Sequence, residues 1–512
     1  MPSRGLQRGS ATLLAVGALV LLPPERLTVR TRVPSYRELP DDVRREVLLG
    51  SPRSSTQIED SPFATHTTIC AEGGDDDYVQ QAAGLISQAG YKWIVDYVRV
   101  DSSSATQRNE PDGPALARCE KYLKEARGLN LSVLLRLDVL PSEALRQKTL
   151  DASQRQAAAT SARNVVRRLK PLVSHWQVGN EPNVDGTPEA YVQLASAVSR
   201  AIRTEQPNAL VYGPASAMLQ CLSDHPLPWL DRALAAGLLE HIDVFSYHPY
   251  RANGDLPEQA SEFERFRKWP SYHTQLAELR QRLRAKNGGK DVRLSTSEDG
   301  EGSGVSATGE QRVTWVIDAK NELRRALLDF WNGVYPRTHF AFFRNIPEAF
   351  YSTEGSFNAL TRGLEKKPIY HAAQNLHAVL DRSYRRDETV HVKLERLRGG
   401  LSELGRLGPY VQTYTKSHPA FDELLVFFWS THAAENLHRR IPVSVSIESP
   451  DWEAPVVIDL MTMPGQAMTV GHMPSKHQRW RAVEAHRTAH GVQVEPLEMR
   501  DYPMLLKLVR RH

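Results

Sequence analysis

Cysteine is scarce in this chain: Cys70, Cys119 and Cys221 stand alone among 512 residues, and no two lie at the spacing of a metal-ligand pair. That excludes a disulfide framework and a zinc site, and leaves room for one bridge at most. Membrane-length apolar runs are missing too. The run Ala11 to Leu22 holds twelve residues, where a transmembrane helix takes about 20, so no integral span is expected. Neither sign of charge dominates: 64 basic and 60 acidic residues, spread along the chain, leave a formal charge of +4. A dedicated nucleic-acid surface is therefore not expected, and the short basic end Arg510-Arg511-His512 does not change this. There is also no Gly-x-Gly-x-x-Gly loop to support a doubly wound sheet.

What the chain does have is length and apolar content. With 41% apolar residues it can bury a large core, and its length predicts two domains. Residues 1–24 combine Arg4 and Arg8, the apolar run and Pro23-Pro24, which match the charged and apolar parts of a secretory signal. The expected location is secreted, periplasmic or cell-surface. No Ala-x-Ala follows, so a mis-assigned start or a short membrane anchor is the competing reading. Residues 25–60, rich in Arg, Pro, Ser and Asp, read as a linker with an edge strand at Leu27 to Val33.

Strands and helices then alternate. Strands are predicted at Phe63 to Ile69, Tyr91 to Val100, Leu131 to Val139, His175 to Asn180, Ala209 to Pro214, Ile242 to Tyr247, Val292 to Ser297 and Thr338 to Phe343. Between them the helical spacing covers Tyr78 to Ala89, Pro114 to Gly128, Ser153 to Leu172, Pro188 to Glu205, Pro228 to Ala236, Glu258 to Lys286 and Thr308 to Asn332, with Pro368 to Leu380 closing the series. Eight such units over residues 61–384 fit a (β/α)8 TIM barrel. The aspartates Asp75, Asp76 and Asp77 read as helix-capping residues rather than metal ligands. From residue 385 to 512 the period changes to two. Leu424 to Ser430, Ile441 to Ile447, Pro455 to Leu460, Gly491 to Pro496 and Met504 to Val509 predict an all-β sandwich, read as structural support rather than as a carbohydrate-binding module.

Two strand ends carry the chemistry. In His175-Trp176-Gln177-Val178-Gly179-Asn180-Glu181-Pro182-Asn183 an apolar strand runs into a carboxylate and a proline, which restricts the residue before it to extended conformations. In Val292-Arg293-Leu294-Ser295-Thr296-Ser297-Glu298-Asp299-Gly300 a second carboxylate ends another strand. A strand-terminating glutamate is most often a solvated loop residue. A barrel, however, gathers the carboxyl ends of all its strands at one mouth, so Glu181 after the fourth strand and Glu298 after the seventh would face each other. Facing carboxylates are what glycosidic bond cleavage needs, one protonated and one ionised. A separation of ~5–5.5 Å implies retention of configuration and ~6.5–9.5 Å inversion.

The motifs Gly179-Asn180-Glu181-Pro182, Ser297-Glu298 and Tyr247-His248-Pro249-Tyr250 resemble those of the clan A retaining glycoside hydrolases, nearest to the β-xylosidase and α-L-iduronidase family, which also joins a barrel to a β-sandwich. The resemblance implies that Glu181 is the acid/base, Glu298 the nucleophile and Asn180 a donor to the sugar 2-hydroxyl. It also implies an arginine near the end of the second strand, where the register admits either Val95 or Arg99. Asp299 and Glu301 beside Glu298 are alternative nucleophiles, or like charges that raise its pKa. His248 reads equally as a site residue and a structural histidine, with Tyr250 as an alternative orienting group. His66, Trp331, Phe343 and Arg344 are candidate sugar contacts, each with a core or loop role as the competing reading. The expected partner is an oligo- or polysaccharide; no metal and no cofactor are required. A barrel that binds glycans without cleaving them is the rival function, and fold alone does not decide between them.

Overall fold

The structure is a computed structural model that describes residues 31–47, 49–72, 76–100, 113–140, 142–217, 227–251, 256–259, 261–263, 266–300, 313–342, 364–397, 408–437, 439–462 and 480–512. The signal-like segment therefore lies outside the described residues. Among those described, no helix is long and apolar enough to cross a membrane.

Eight parallel strands form the barrel: β1 (Phe63–Thr67), β2 (Trp93–Arg99), β3 (Ser132–Asp138), β4 (His175–Val178), β5 (Leu210–Ala217), β6 (Val244–His248), β7 (Arg293–Thr296) and β8 (Arg337–Phe342). Around them lie α1 (Asp76–Gln88), α2 (Pro114–Gly128), α3 (Ala152–Leu169), α4 (Pro188–Glu205), α5 (Leu227–Ala235), α6 (Tyr272–Lys286), α7 (Trp315–Trp331) and α8 (Pro368–Val379). Each strand pairs with its neighbour in sequence from β1 to β7, and β8 pairs with β1. The seam between β7 and β8 closes by other means. The Thr338 amide donates to the Thr296 hydroxyl at 2.8 Å, and the Thr338 hydroxyl donates to the Thr296 carbonyl at 2.7 Å.

Alternation along the strands divides the side chains between two cores. Ala64, Trp93, Val95, Leu134, Tyr212 and Val244 pack as a separate plug within the ring, while Ile94, Val98, Val133, Leu135 and Leu137 join the layer shared with the helices. Local signals start the helices where they are seen. Asp151 and Gln154 form a capping box at α3, and Thr187 followed by Pro188 starts α4. The disulfide Cys70–Cys119 ties the turn after β1 to α2; Cys221 lies outside the described residues.

One predicted helix is corrected. Glu258 to Lys286 contains a two-stranded hairpin, Ser261–Phe263 with Phe266–Trp269, before α6 begins at Tyr272. Pro270 interrupts the helical backbone, and the Ser271 hydroxyl caps α6 by accepting from the Thr274 amide.

The C-terminal part is a sandwich of two antiparallel sheets. In one, the strands run in the order Thr31–Arg32, Ala485–Thr488, Gly491–Met499, Ile441–Ile447 and Val392–Arg396. In the other the order is Arg385–Arg386, Pro409–Ser417, Phe421–Ser430, Met504–Arg511, Glu453–Asp459 and Trp480–Ala482. Within the stretch expected as an edge strand, Leu27 to Val33, the described residues Thr31–Arg32 pair with Ala485–Thr488. A short helix, Asp41–Glu46, follows it. Leu39, Val43 and Val47 of this region pack on Phe421, Val456 and Val509, so burial of apolar side chains holds the segment on the sandwich.

Candidate active site

Glu181 follows β4 and Glu298 follows β7, at the carboxyl end of the ring. Although 117 residues separate them in sequence (298 minus 181), one carboxylate oxygen of each and a ring nitrogen of His248 lie within 4.8 Å of one another. His248, buried at the end of β6, sits between the two. Its Nδ1 is 2.8 Å from Glu181 Oε1 and 3.7 Å from Glu298 Oε2, and its Nε2 is 3.0 Å from Ser297 Oγ. With the proton on Nδ1, the ring donates to Glu181 and accepts from the Ser297 hydroxyl.

The backbone at Glu181 differs from expectation. Proline was expected to hold the preceding residue extended, yet Glu181 is left-handed, at φ 44° and ψ 47°. Its amide donates to the Ala215 carbonyl on β5 at 3.0 Å, and Pro182 opens the helical turn Pro182–Asp185. A non-glycine residue held this way stores strain of order 1–3 kcal/mol, a feature that concentrates at functional sites. Gly179, at φ 69°, supplies the preceding turn.

Arg136, on β3, is the group sequence reading missed. Its Nη1 donates to Glu298 Oε1 and to Asn180 Oδ1, each at 2.7 Å, and its Nη2 donates to Asp138 at 3.2 Å. The run Val133-Leu134-Leu135-Arg136-Leu137 carried the signal, since a cation inside an apolar strand must be paired when buried. Arg99 does not take this role. It is exposed as the last residue of β2, with its guanidinium 5.2 Å from the Tyr97 ring centre, while Arg136 lies 4.4 Å from the same ring. Val95 belongs to the apolar plug.

The remaining candidates separate by position. Tyr250 donates to Glu298 Oε2 at 3.3 Å, so it joins the site together with His248. Asn180 has its carbonyl oxygen held by Arg136, which leaves its NH2 group to donate outward. His66 Nε2 is 3.8 Å from Glu298 Oε1; burial drives the imidazole down to about 3, so it stands beside the carboxylate uncharged. Trp331 is at the far end of the barrel. It ends α7, which runs antiparallel to the strands, and it packs under Arg386 (4.1 Å) and edge-on to Tyr414 (5.6 Å) of the sandwich. Phe343, Arg344 and Glu301 lie outside the described residues.

Asp299 does not compete with Glu298. It is buried on the opposite face of the strand end, accepting from Arg325 at 2.9 Å and Arg337 at 3.4 Å. Glu181 is pulled both ways: burial raises its carboxyl, but the hydrogen bond and charge of His248, with the charge of Arg136, outweigh this and hold it below the usual value. Glu181, His248 and Glu298 could each offer one donor atom to a cation. The Arg136 guanidinium, 2.7 Å from Glu298 Oε1, opposes a second positive charge beside it.

No family model and no curated protein matches the chain. Solved structures do. A family 39 glycoside hydrolase from Bacteroides cellulosilyticus WH2 aligns with TM-score 0.58 at 17% identity, over 90% of this chain and 82% of that one. A glucosidase from Croceicoccus marinus gives 0.53 at 15% identity, over 90% and 98%. A monomeric β-xylosidase from Caulobacter crescentus CB15 gives 0.52 at 13% identity, over 88% and 97%. The group whose strand-end motifs this sequence resembles is therefore also a group whose architecture, a barrel followed by a sandwich, the chain shares.

Proposed function

We propose that this chain is a secreted glycoside hydrolase that cleaves an oligo- or polysaccharide from its end by retaining double displacement. One observation carries the reading: two carboxylates from distant strands meet within 4.8 Å at the barrel mouth with His248 between them. The nearest oxygens of the pair thus stand no more than 4.8 Å apart, which supports a retaining pair, whose carboxyl groups lie ~5–5.5 Å apart, over an inverting one at ~6.5–9.5 Å. Glu181 gives its proton to the departing oxygen while Glu298, oriented by Arg136 and Tyr250, attacks the anomeric carbon. Water then loses a proton to Glu181 and attacks the same carbon, which frees Glu298. Asn180 is placed to donate to the sugar 2-hydroxyl. Export is supported by the Cys70–Cys119 bridge, a bond that persists in oxidising compartments, and by the charged and apolar character of residues 1–24.

A screen of aryl glycosides tests the activity, and a protein that binds polysaccharide but releases no aglycone would overturn it. Glu298→Ala should abolish turnover with the fold intact, and azide should restore activity to Glu181→Ala; full hydrolysis by either variant unaided refutes the assignment. Proton NMR of the first-formed anomer tests retention. End-cleavage predicts single sugars as first products, whereas oligomers would show internal cleavage.

A further inference from the structure

Resting on that reading, we infer that Glu258 is a positioning residue through which the β-sandwich sets the active-site geometry. β6 ends at His248, and the chain leaving it carries Tyr250 and then Arg251, whose buried guanidinium donates to the Gln259 carbonyl at 3.2 Å and to the Pro270 carbonyl at 3.4 Å. Arg251 thereby ties the residue after Tyr250 to Gln259 and Pro270. Glu258, next to Gln259, is buried. Its Oε1 accepts from the Trp429 indole at 2.7 Å and stands 3.7 Å from Arg324 Nε. The neighbouring Gln259 side chain donates to the Thr431 carbonyl.

Arg324 continues the connection. From α7 it donates to the carbonyls of Ser430 and His432, each at 2.7 Å. The next residue on the same helix, Arg325, holds Asp299 at 2.9 Å, directly after Glu298. Two adjacent arginines thus serve two sides: Arg324 grips the sandwich and the loop that follows His248 and carries Tyr250, and Arg325 grips the strand end of Glu298. The 3.3 Å contact between Tyr250 and Glu298 spans loops whose relative position is set through Glu258, α7 and residues 429–432. A carboxylate buried between an arginine and an indole costs desolvation, and its partners, Trp429 and Arg324, give it no direct part in bond cleavage.

The test compares the wild type with Glu258→Gln, which keeps an acceptor for Trp429 but removes the charge facing Arg324, and with Trp429→Phe, which removes the donor. In aryl glycoside hydrolysis kcat should fall on the order of 100-fold while KM stays within about twofold, because small displacements of reacting groups weigh on the transition state. Glu258→Asp should recover part of the loss. Amide hydrogen exchange, read by mass spectrometry, supplies a readout independent of turnover. Exchange should quicken at residues 248–251 and 298–300 together, whereas a purely local role would quicken only 256–259 and 429–432. An active wild type with kcat unchanged in both variants, or exchange confined to the local segments, overturns the inference. A wild type inactive across the glycoside screen overturns the hydrolase reading instead, and the exchange pattern still decides whether Glu258 couples the two strand ends.

Discussion

At Glu181 the electrostatics and the proposed chemistry pull against each other in a measurable way. An acid must hold a proton when the bond breaks, yet His248 and Arg136 hold this carboxyl below its ordinary value despite its burial. A depressed pKa means the protonated form is lost as pH rises through that lowered value. The basic limb of kcat/KM, which reports the free enzyme's acid, should therefore lie in the acidic range. Replacing His248 with Ala removes two of the lowering influences and leaves burial in place, so the limb should move to higher pH; a limb that stays put or moves lower would refute this account. The carboxylates themselves were legible because each ends a short strand-like run. Arg136 was not assigned, although its charge inside such a run was visible, because its partners come from β4 and β7 and only ring closure brings them within 2.7 Å. The strand expected from Leu424 starts earlier, at Phe421, and within it Glu423 pairs with buried Lys507 and Asp422 with Arg510.

At the scale of elements, ring strands such as Trp93–Arg99 and Ser132–Asp138 were readable since their apolar runs are short and nearly continuous, as parallel strands buried on both faces require. Edges were harder. Val392–Arg396 alternates between half-buried and exposed positions, and its Lys, Glu and Arg give little apolar signal. The hairpin before α6 was absorbed into a helix because its charged residues suit a helix surface, and Pro270-Ser271, the start signal for α6, was passed over. The Cys70–Cys119 bridge spans 49 positions of sequence, and cross-linking a loop of that size constrains the unfolded chain by about 4 kcal/mol. The Cys70→Ser/Cys119→Ser double variant should unfold at correspondingly lower denaturant, with the native fold retained. A midpoint equal to that of the wild type would show that the bridge adds nothing to stability.

For the molecule as a whole, α7 is the joint between barrel and sandwich. Lys320 on this helix is fully buried against Asp501 at 2.8 Å and also donates to carbonyls of residues 435 and 437. Lys320→Ala strands the Asp501 charge and should cost ~3–5 kcal/mol, and adding Asp501→Asn should restore part of it. Thermal unfolding of the single and double variants measures both, and a double variant no more stable than the single would argue against the pairing. The two-part architecture was legible from the change of period near residue 385, but the joint was not, because the charges of α7 look like those of a solvated helix until a second layer covers them. That covering has an evolutionary consequence. A chimera made by recombination at the boundary would inherit a helix whose cations were matched to a different neighbour, with Lys320 and Arg324 facing groups that no longer answer them.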